Sequence, residues 1–231
     1  MRQLLPTLVD PVDPMAVYGD LPAPPGRPAV RLNMIASVDG ATTVGGVSGG
    51  LGGRADRALF LRLRSLADGI LVAAGTVRAE GYRPSVTPIA VVSRSLRLDW
   101  ETPFFTAPIA RPILLTVARA PADQRGRAAE LADVVVAGDR DVDLAVALAA
   151  LAERGWRNVL AEGGPTLNGQ LARAGLLDEL CLTLSPRLAG GAAKRLLDGP
   201  AVPDLALRLC SACEEDEFLF LRYRPSPARP A

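Results

Sequence analysis

Glu162-Gly163-Gly164-Pro165-Thr166-Leu167 is the stretch of this 231-residue chain whose residue types and spacing say most about chemistry. It follows a short apolar run, Asn158 to Ala161, and opens a helix, with Pro165 near the first helical position and Gly175 just past the last. Two glycines let the backbone approach a ligand, and the unpaired N–H groups of a helix start favour an anion, so a phosphate is the natural occupant. An ordinary strand-to-helix turn is the alternative. Arg64, near the end of an amphipathic segment, is a second anion-site candidate, with a solvated arginine as its alternative. Arg94, in Ser93-Arg94-Ser95-Leu96-Arg97 after an apolar run, could grip a 2′-phosphate at a sheet's carboxyl edge, with a solvated turn as its alternative.

What is missing narrows the chemistry further. The chain has no histidine, which removes Ser-His and Cys-His nucleophilic machinery and makes carboxylates the leading proton carriers. Cys210 and Cys213 have the spacing of a metal or redox pair, but a structural zinc site ordinarily wants four ligands, and no metal is expected. A net charge of +1 argues against nucleic acid or an anionic membrane as partner. No run approaches the roughly 18 apolar residues of a membrane span, and a cytoplasmic protein is expected.

These residues need elements to hold them. Residues 1–28 are proline-rich and aperiodic and are expected to form an irregular lead-in to a single domain over 29–231. Strands are predicted at Ala29–Ala36, Gly69–Ala74, Ile89–Ser93, Pro112–Val117, Val134–Ala137 and Val159–Ala161, and helices at Arg54–Ala67, Ala122–Leu131, Leu144–Arg154 and Thr166–Ala174. Their alternation argues an α/β fold with a mostly parallel sheet flanked by helices. Glu179–Ser185, Leu205–Ser211 and Glu217–Arg224 lack long intervening helices and predict an antiparallel meander or hairpin at the C-terminal end. Between Ala41 and Gly53 six glycines accompany Ser48 in a polar loop of the kind that covers a ligand. Gly50-Leu51-Gly52-Gly53-Arg54-Ala55 within it matches a dinucleotide fingerprint in spacing but lacks the preceding hydrophobic strand.

Asn33 to Gly40, Gly75-Thr76-Val77 with Glu80, Glu162 to Leu167, and Gly175 to Leu180 followed by Ser185 to Gly191 together resemble the pyrimidine reductase of riboflavin biosynthesis, over roughly residues 28 to 224. The resemblance is to a stand-alone form of what is elsewhere the C-terminal half of a bifunctional deaminase-reductase. It implies a dihydrofolate-reductase-like fold, NADPH as hydride donor, commonly a homodimer, and 5-amino-6-(5-phosphoribosylamino)uracil as the heterocyclic substrate. By position, Thr76 and Gly163, Gly164, Pro165, Thr166, Leu167, Asn168 and Gly169 would line the cofactor, and Ser48, Arg64 and Glu162 would face the substrate. With no histidine present, Asp39 or Glu80 would deliver the proton, although Asp39 also suits a role in fixing its turn. The chain departs from the family at Glu80-Gly81-Tyr82-Arg83-Pro84-Ser85, where Asp-Asp-Pro-x-Leu-Thr is usual, and at Gly50, where an aromatic is common. Both departures fall where substrate should sit, so dihydrofolate or another pterin-like heterocycle stands as a rival substrate, and a non-catalytic NADP-binding sensor as a rival function.

Overall fold

A computed structural model describes residues 1–19, 21–202 and 205–226. Its spine is one ten-stranded sheet of order β1-β9-β10-β8-β2-β7-β3-β4-β5-β6. The strands are β1 (Arg2–Leu5), β2 (Ala29–Ser37), β3 (Gly69–Ala73), β4 (Ile89–Val92), β5 (Ile113–Thr116), β6 (Asp133–Val136), β7 (Asn158–Ala161), β8 (Glu179–Ser185), β9 (Leu207–Glu215) and β10 (Phe218–Pro225). From β8 to β6 neighbouring strands run parallel. Continuous apolar strands such as Gly69–Ala73 suit that interior, because both faces of a parallel sheet are covered.

The helices are α1 (Pro14–Tyr18), α2 (Arg54–Ser65), α3 (Ala74–Glu80), α4 (Pro103–Thr106), α5 (Ala122–Leu131), α6 (Leu144–Glu153) and α7 (Pro165–Arg173). Leu144, Leu148 and Leu151 of α6 and Leu167 and Leu171 of α7 pack on one face with Val30, Leu32, Leu71 and Val159. Alternate residues of the same strands face the other way: Ile70 and Val72 join α3, α4 and α5, and Leu160 joins α1 and α2. Among the described residues no helix is long and apolar enough to cross a membrane.

Two features differ from the sequence expectations. The lead-in is not irregular throughout, since Arg2–Leu5 pairs antiparallel with β9 and Pro14–Tyr18 is a helix capped by the Asp13 side chain. Residues 74–80 form α3, a helix not among those predicted, closed by Gly81 at φ 61°. The C-terminal strands are antiparallel as expected: β9 and β10 form a hairpin and β10 lies antiparallel beside β8, which also joins β2 in parallel.

The placement of β7 matters most for the site. It lies between β2 and β3, so successive connections leave the sheet on opposite faces and open a crevice at the carboxyl ends of these three strands. A buried charge cluster secures the strands on the other side of β2. Glu179 is 0% exposed and accepts from Arg31 at 2.6 Å, Arg222 at 2.7 Å and Arg224 at 3.0 Å. Arg31 and Arg222 also donate to the carbonyls of Tyr18 and Val17, which ties α1 to the sheet. Replacing Glu179 by Gln would leave these guanidinium groups facing a neutral partner, so a stability loss of about 3–5 kcal/mol is expected, read from the urea midpoint at unchanged slope.

Candidate active site

The crevice is a cleft of about 2230 Å³, larger than one small ligand needs, lined by the ends of β2, β3 and β4, by α2 and α3, by the glycine loop and by the turn after β7. That turn is held from both sides. The Glu162 N–H donates to the Leu71 carbonyl at 2.9 Å and the Ala73 N–H to the Gly163 carbonyl at 2.7 Å, carrying the β3–β7 pairing beyond the strand ends. Gly163 has φ 91°, the Gly163–Gly164 peptide is cis, and Gly164 is the extended N-cap of α7 with Pro165 directly after it. A Cβ built on Gly164 would lie 2.8 Å from the Thr76 hydroxyl oxygen, so only a bare backbone fits against Thr76 here. First-turn N–H groups of α7 have no acceptor within the helix, which leaves them for a ligand in the cleft.

Arg64 and Glu162 come together rather than facing a ligand separately. Arg64 Nε and Nη2 each donate to a Glu162 oxygen at 2.7 Å, and the Tyr82 hydroxyl donates to Glu162 Oε2 as well. The Glu162 side chain is 4% exposed. The Arg64 guanidinium stacks on the Phe60 ring at 4.4 Å and lies 5.7 Å from that of Tyr82. Burial first, and the Glu162 charge second, push the Tyr82 phenol well above its ordinary value, so it stays protonated as a donor. Glu162 therefore has little acceptor capacity to spare for a ring N–H, and the paired grip on a phosphate expected of Arg64 is already engaged with Glu162.

Other expected residues scatter. Thr76, Gly164, Pro165, Thr166, Ser48 and Arg94 line the cleft. Leu167 belongs to the core, and Asn168 is fully buried and donates to the Leu196 carbonyl at 2.9 Å. Gly169 lets the Asp198 carbonyl approach to 2.6 Å of where a Cβ would be. These three hold α7 against the core and the 186–202 segment, because only the first turn of a helix points its N–H groups outward. Asp39 lies outside the cleft. Its carboxylate accepts from the Ser37 hydroxyl and from the N–H groups of Gly190 at 2.7 Å and Ala189 at 3.1 Å. The Ser37 bond first, then the two backbone bonds, hold its pKa down to about 2, which suits an ionised turn clamp and not a proton donor. Glu80 is at the cleft and accepts the Ser48 N–H at 2.9 Å, fastening the glycine loop to α3.

Tyr82 and Phe60 were missed as site residues. Tyr82 falls in the segment that departs from the family pattern, the one signal pointing to it; Phe60 reads from sequence only as part of an amphipathic helix. Arg119 and Arg140 were also missed, and they join Arg94 at the β4–β5 end of the cleft. Arg94 pairs with Asp141 at 2.7 Å and Arg119 with Asp139 at 2.9 Å, both exposed. Nine arginine and lysine side chains line the cleft against three carboxylates, in a chain of net charge +1. Cys210 and Cys213, three apart on β9, are free thiols, the first half-buried at a register shift and the second buried. Among the described residues no cluster of three or more His, Cys, Asp or Glu could hold a metal.

Fold and cleft together place the chain among dihydrofolate-reductase-like α/β proteins. Dihydrofolate reductase from Enterococcus faecalis, complexed with NADP(H), superposes with a TM-score of 0.54 at 10% identity, a likeness of fold alone. A family model described as the RibD C-terminal domain matches residues 28–219, and the chain belongs to that family. It is 32% identical over 193 residues, 78% of this chain and 88% of the relative, to the 2,5-diamino-6-ribosylamino-4(3H)-pyrimidinone 5′-phosphate reductase of Methanothermobacter thermautotrophicus. A pyrimidine reductase-like protein from Corynebacterium diphtheriae superposes with a TM-score of 0.80 at 27% identity, covering 93% of this chain and 98% of the other.

The Asp39 clamp has a pH signature. Because its folded pKa lies below the ordinary 3.8, its contribution is fully present above that value and is lost as pH falls through about 2. Wild type should therefore be more stable than Asp39→Asn at pH 7, with the gap narrowing below about pH 4. Thermal unfolding of both proteins across that range checks it.

Proposed function

We propose that this protein is an NADPH-dependent reductase that converts the ribosyl group of a ribosylaminopyrimidine 5′-phosphate to a ribityl chain, with 5-amino-6-(5-phosphoribosylamino)uracil as substrate. The excess of basic side chains around the Gly163–Gly164 turn carries this reading. A cleft of this size and charge suits a phosphorylated dinucleotide and a second phosphorylated ligand side by side.

The residues present fit the cofactor. Gly164, Pro165 and Thr166 with Thr76 form a cradle, bare backbone at Gly164, suited to the diphosphate, and Arg94, Arg119 and Arg140 suit the 2′-phosphate. When bound, NADPH supplies a hydride. Ser48, Arg64 and Tyr82 bound the substrate side, where Glu162 fixes the orientation of Arg64 and the Glu80–Ser48 bond holds the glycine loop. The homodimer remains part of the proposal. A second substrate is favoured by the names of relatives 29–32% identical to this chain, which are reductases of the 2,5-diaminopyrimidinone.

Purified protein with NADPH and each candidate substrate tests the reading through loss of NADPH absorbance. Turnover of either ribosylaminopyrimidine and none of dihydrofolate is expected. Tight NADPH binding without turnover would favour a sensor, and turnover of dihydrofolate alone would favour a pterin reductase. Gly164→Ala forces a methyl group against Thr76 and should weaken NADPH binding by about tenfold, or about 1.4 kcal/mol. Fluorescence titration, with the melting temperature as control, measures it.

A further inference from the structure

Three carboxyl side chains line the cleft, those of Asp56, Glu80 and Glu162. Glu162 is bound by Arg64 through both oxygens and by Tyr82, and Glu80 sits exposed under the Ser48 N–H. Asp56 differs from both. It is half-buried in the first turn of α2, and among the described residues it forms no ion pair. Its Oδ2 lies 2.9 Å from where a Cβ on Gly52 would be, so the glycine loop closes directly over it.

The helix itself aims this carboxyl. Asp56, Phe60 and Arg64 recur every four residues and all line the cleft, while Ala55, Leu59 and Leu63 enter the core. At 1.5 Å rise per residue the stripe spans about 12 Å from Asp56 to Arg64, which puts an acid and a cation at opposite ends of one ligand-facing edge. Arg54 and Arg57, the charged neighbours on α2, are exposed, and from the sheet the polar partner is the Thr183 hydroxyl of β8. Burial raises the Asp56 carboxyl above its ordinary value, with the Thr183 hydrogen bond working against that shift. With no histidine in the chain, Asp39 clamped outside the cleft and Glu162 saturated, Asp56 is the cleft carboxyl placed to keep a proton.

We propose that Asp56 is the catalytic acid of the reduction, delivering its proton to the sugar ring oxygen; this rests on the ribosylaminopyrimidine reading above. The bound cofactor would supply a hydride to C1′; as the C1′–O4′ bond breaks its electron pair stays on O4′, and the Asp56 proton completes the new hydroxyl. C1′ is reduced and the nicotinamide oxidised. The carboxylate regains a proton from water after product leaves.

Asp56→Asn keeps the size of the side chain and removes the acid. With whichever ribosylaminopyrimidine the wild type reduces, kcat should fall by about 10²–10⁴-fold, with the NADPH dissociation constant within about twofold. Wild-type kcat should decline as pH rises through the acid's pKa, and the variant should lose that limb. A variant kcat within about threefold of wild type, or a limb that persists, overturns the proposal. A measurement free of turnover is the ¹³C NMR titration of aspartate carboxyl carbons in the NADP⁺-mixed protein, the Asp56 signal being assigned by its loss in Asp56→Asn. A midpoint above the ordinary aspartate value supports the proposal and one at or below it overturns it. If the wild type reduces neither ribosylaminopyrimidine, the proposed function falls and the O4′ assignment with it, while the titration still decides whether Asp56 is the proton carrier of the cleft.

Discussion

The contact between Gly164 and Thr76 constrains everything around it. A side chain at Gly164 would come within 2.8 Å of the Thr76 hydroxyl, so the backbone after β7 and the first turn of α3 meet with nothing between them. The meeting is fixed by hydrogen bonds that continue the β3–β7 pairing past the strand ends. Because β7 lies between β2 and β3, it also sets where α7 begins and where the Glu162 carboxylate stands. Shift this contact and the start of α7, the Arg64–Glu162 pair and the floor of the cleft move together.

Charge is distributed in the cleft according to burial. Where the surroundings are dry, the arginine is neutralised: Arg64, largely covered, is matched by Glu162 with Tyr82 and Phe60 around it. Where the surroundings are wet, pairing is loose, as in Arg94–Asp141 and Arg119–Asp139. Exposed pairs contribute only about 0–1 kcal/mol, so a phosphate can take over those arginines at small cost. The buried pair is a fixed part of the wall, and the exposed arginines are available to ligands.

Loops are attached to this frame by polar clamps. Asp39 holds the N–H groups of Ala189 and Gly190, Thr42 donates to the Lys194 carbonyl, and Asn168 donates to the Leu196 carbonyl. Glu80 holds Ser48 from the opposite side. The glycine loop and the 186–202 segment thus border the cleft on these polar clamps together with the buried Leu51 and the half-buried Leu196, so the exposed stretches between the anchors can yield to a ligand while the anchors stay.

The local patterns of the chain determined much of the fold. Apolar runs marked the parallel strands within a residue or two, amphipathic spacing marked α2, and a glycine pair before Pro165 marked the start of α7. The missing histidine alone turned attention to carboxylates. Short-range periodicity reports which face of an element is apolar; it carries no information about which distant residue that face will meet. So only the tertiary structure decided that Glu162 belongs to Arg64, 98 positions away, that Asp39 is spent on a loop 150 positions on, and that Leu167 to Gly169 turn inward. The same holds for Asp56, an unremarked acid in a helical turn by sequence, which burial beside Thr183 and beneath the glycine loop separates from the other carboxylates.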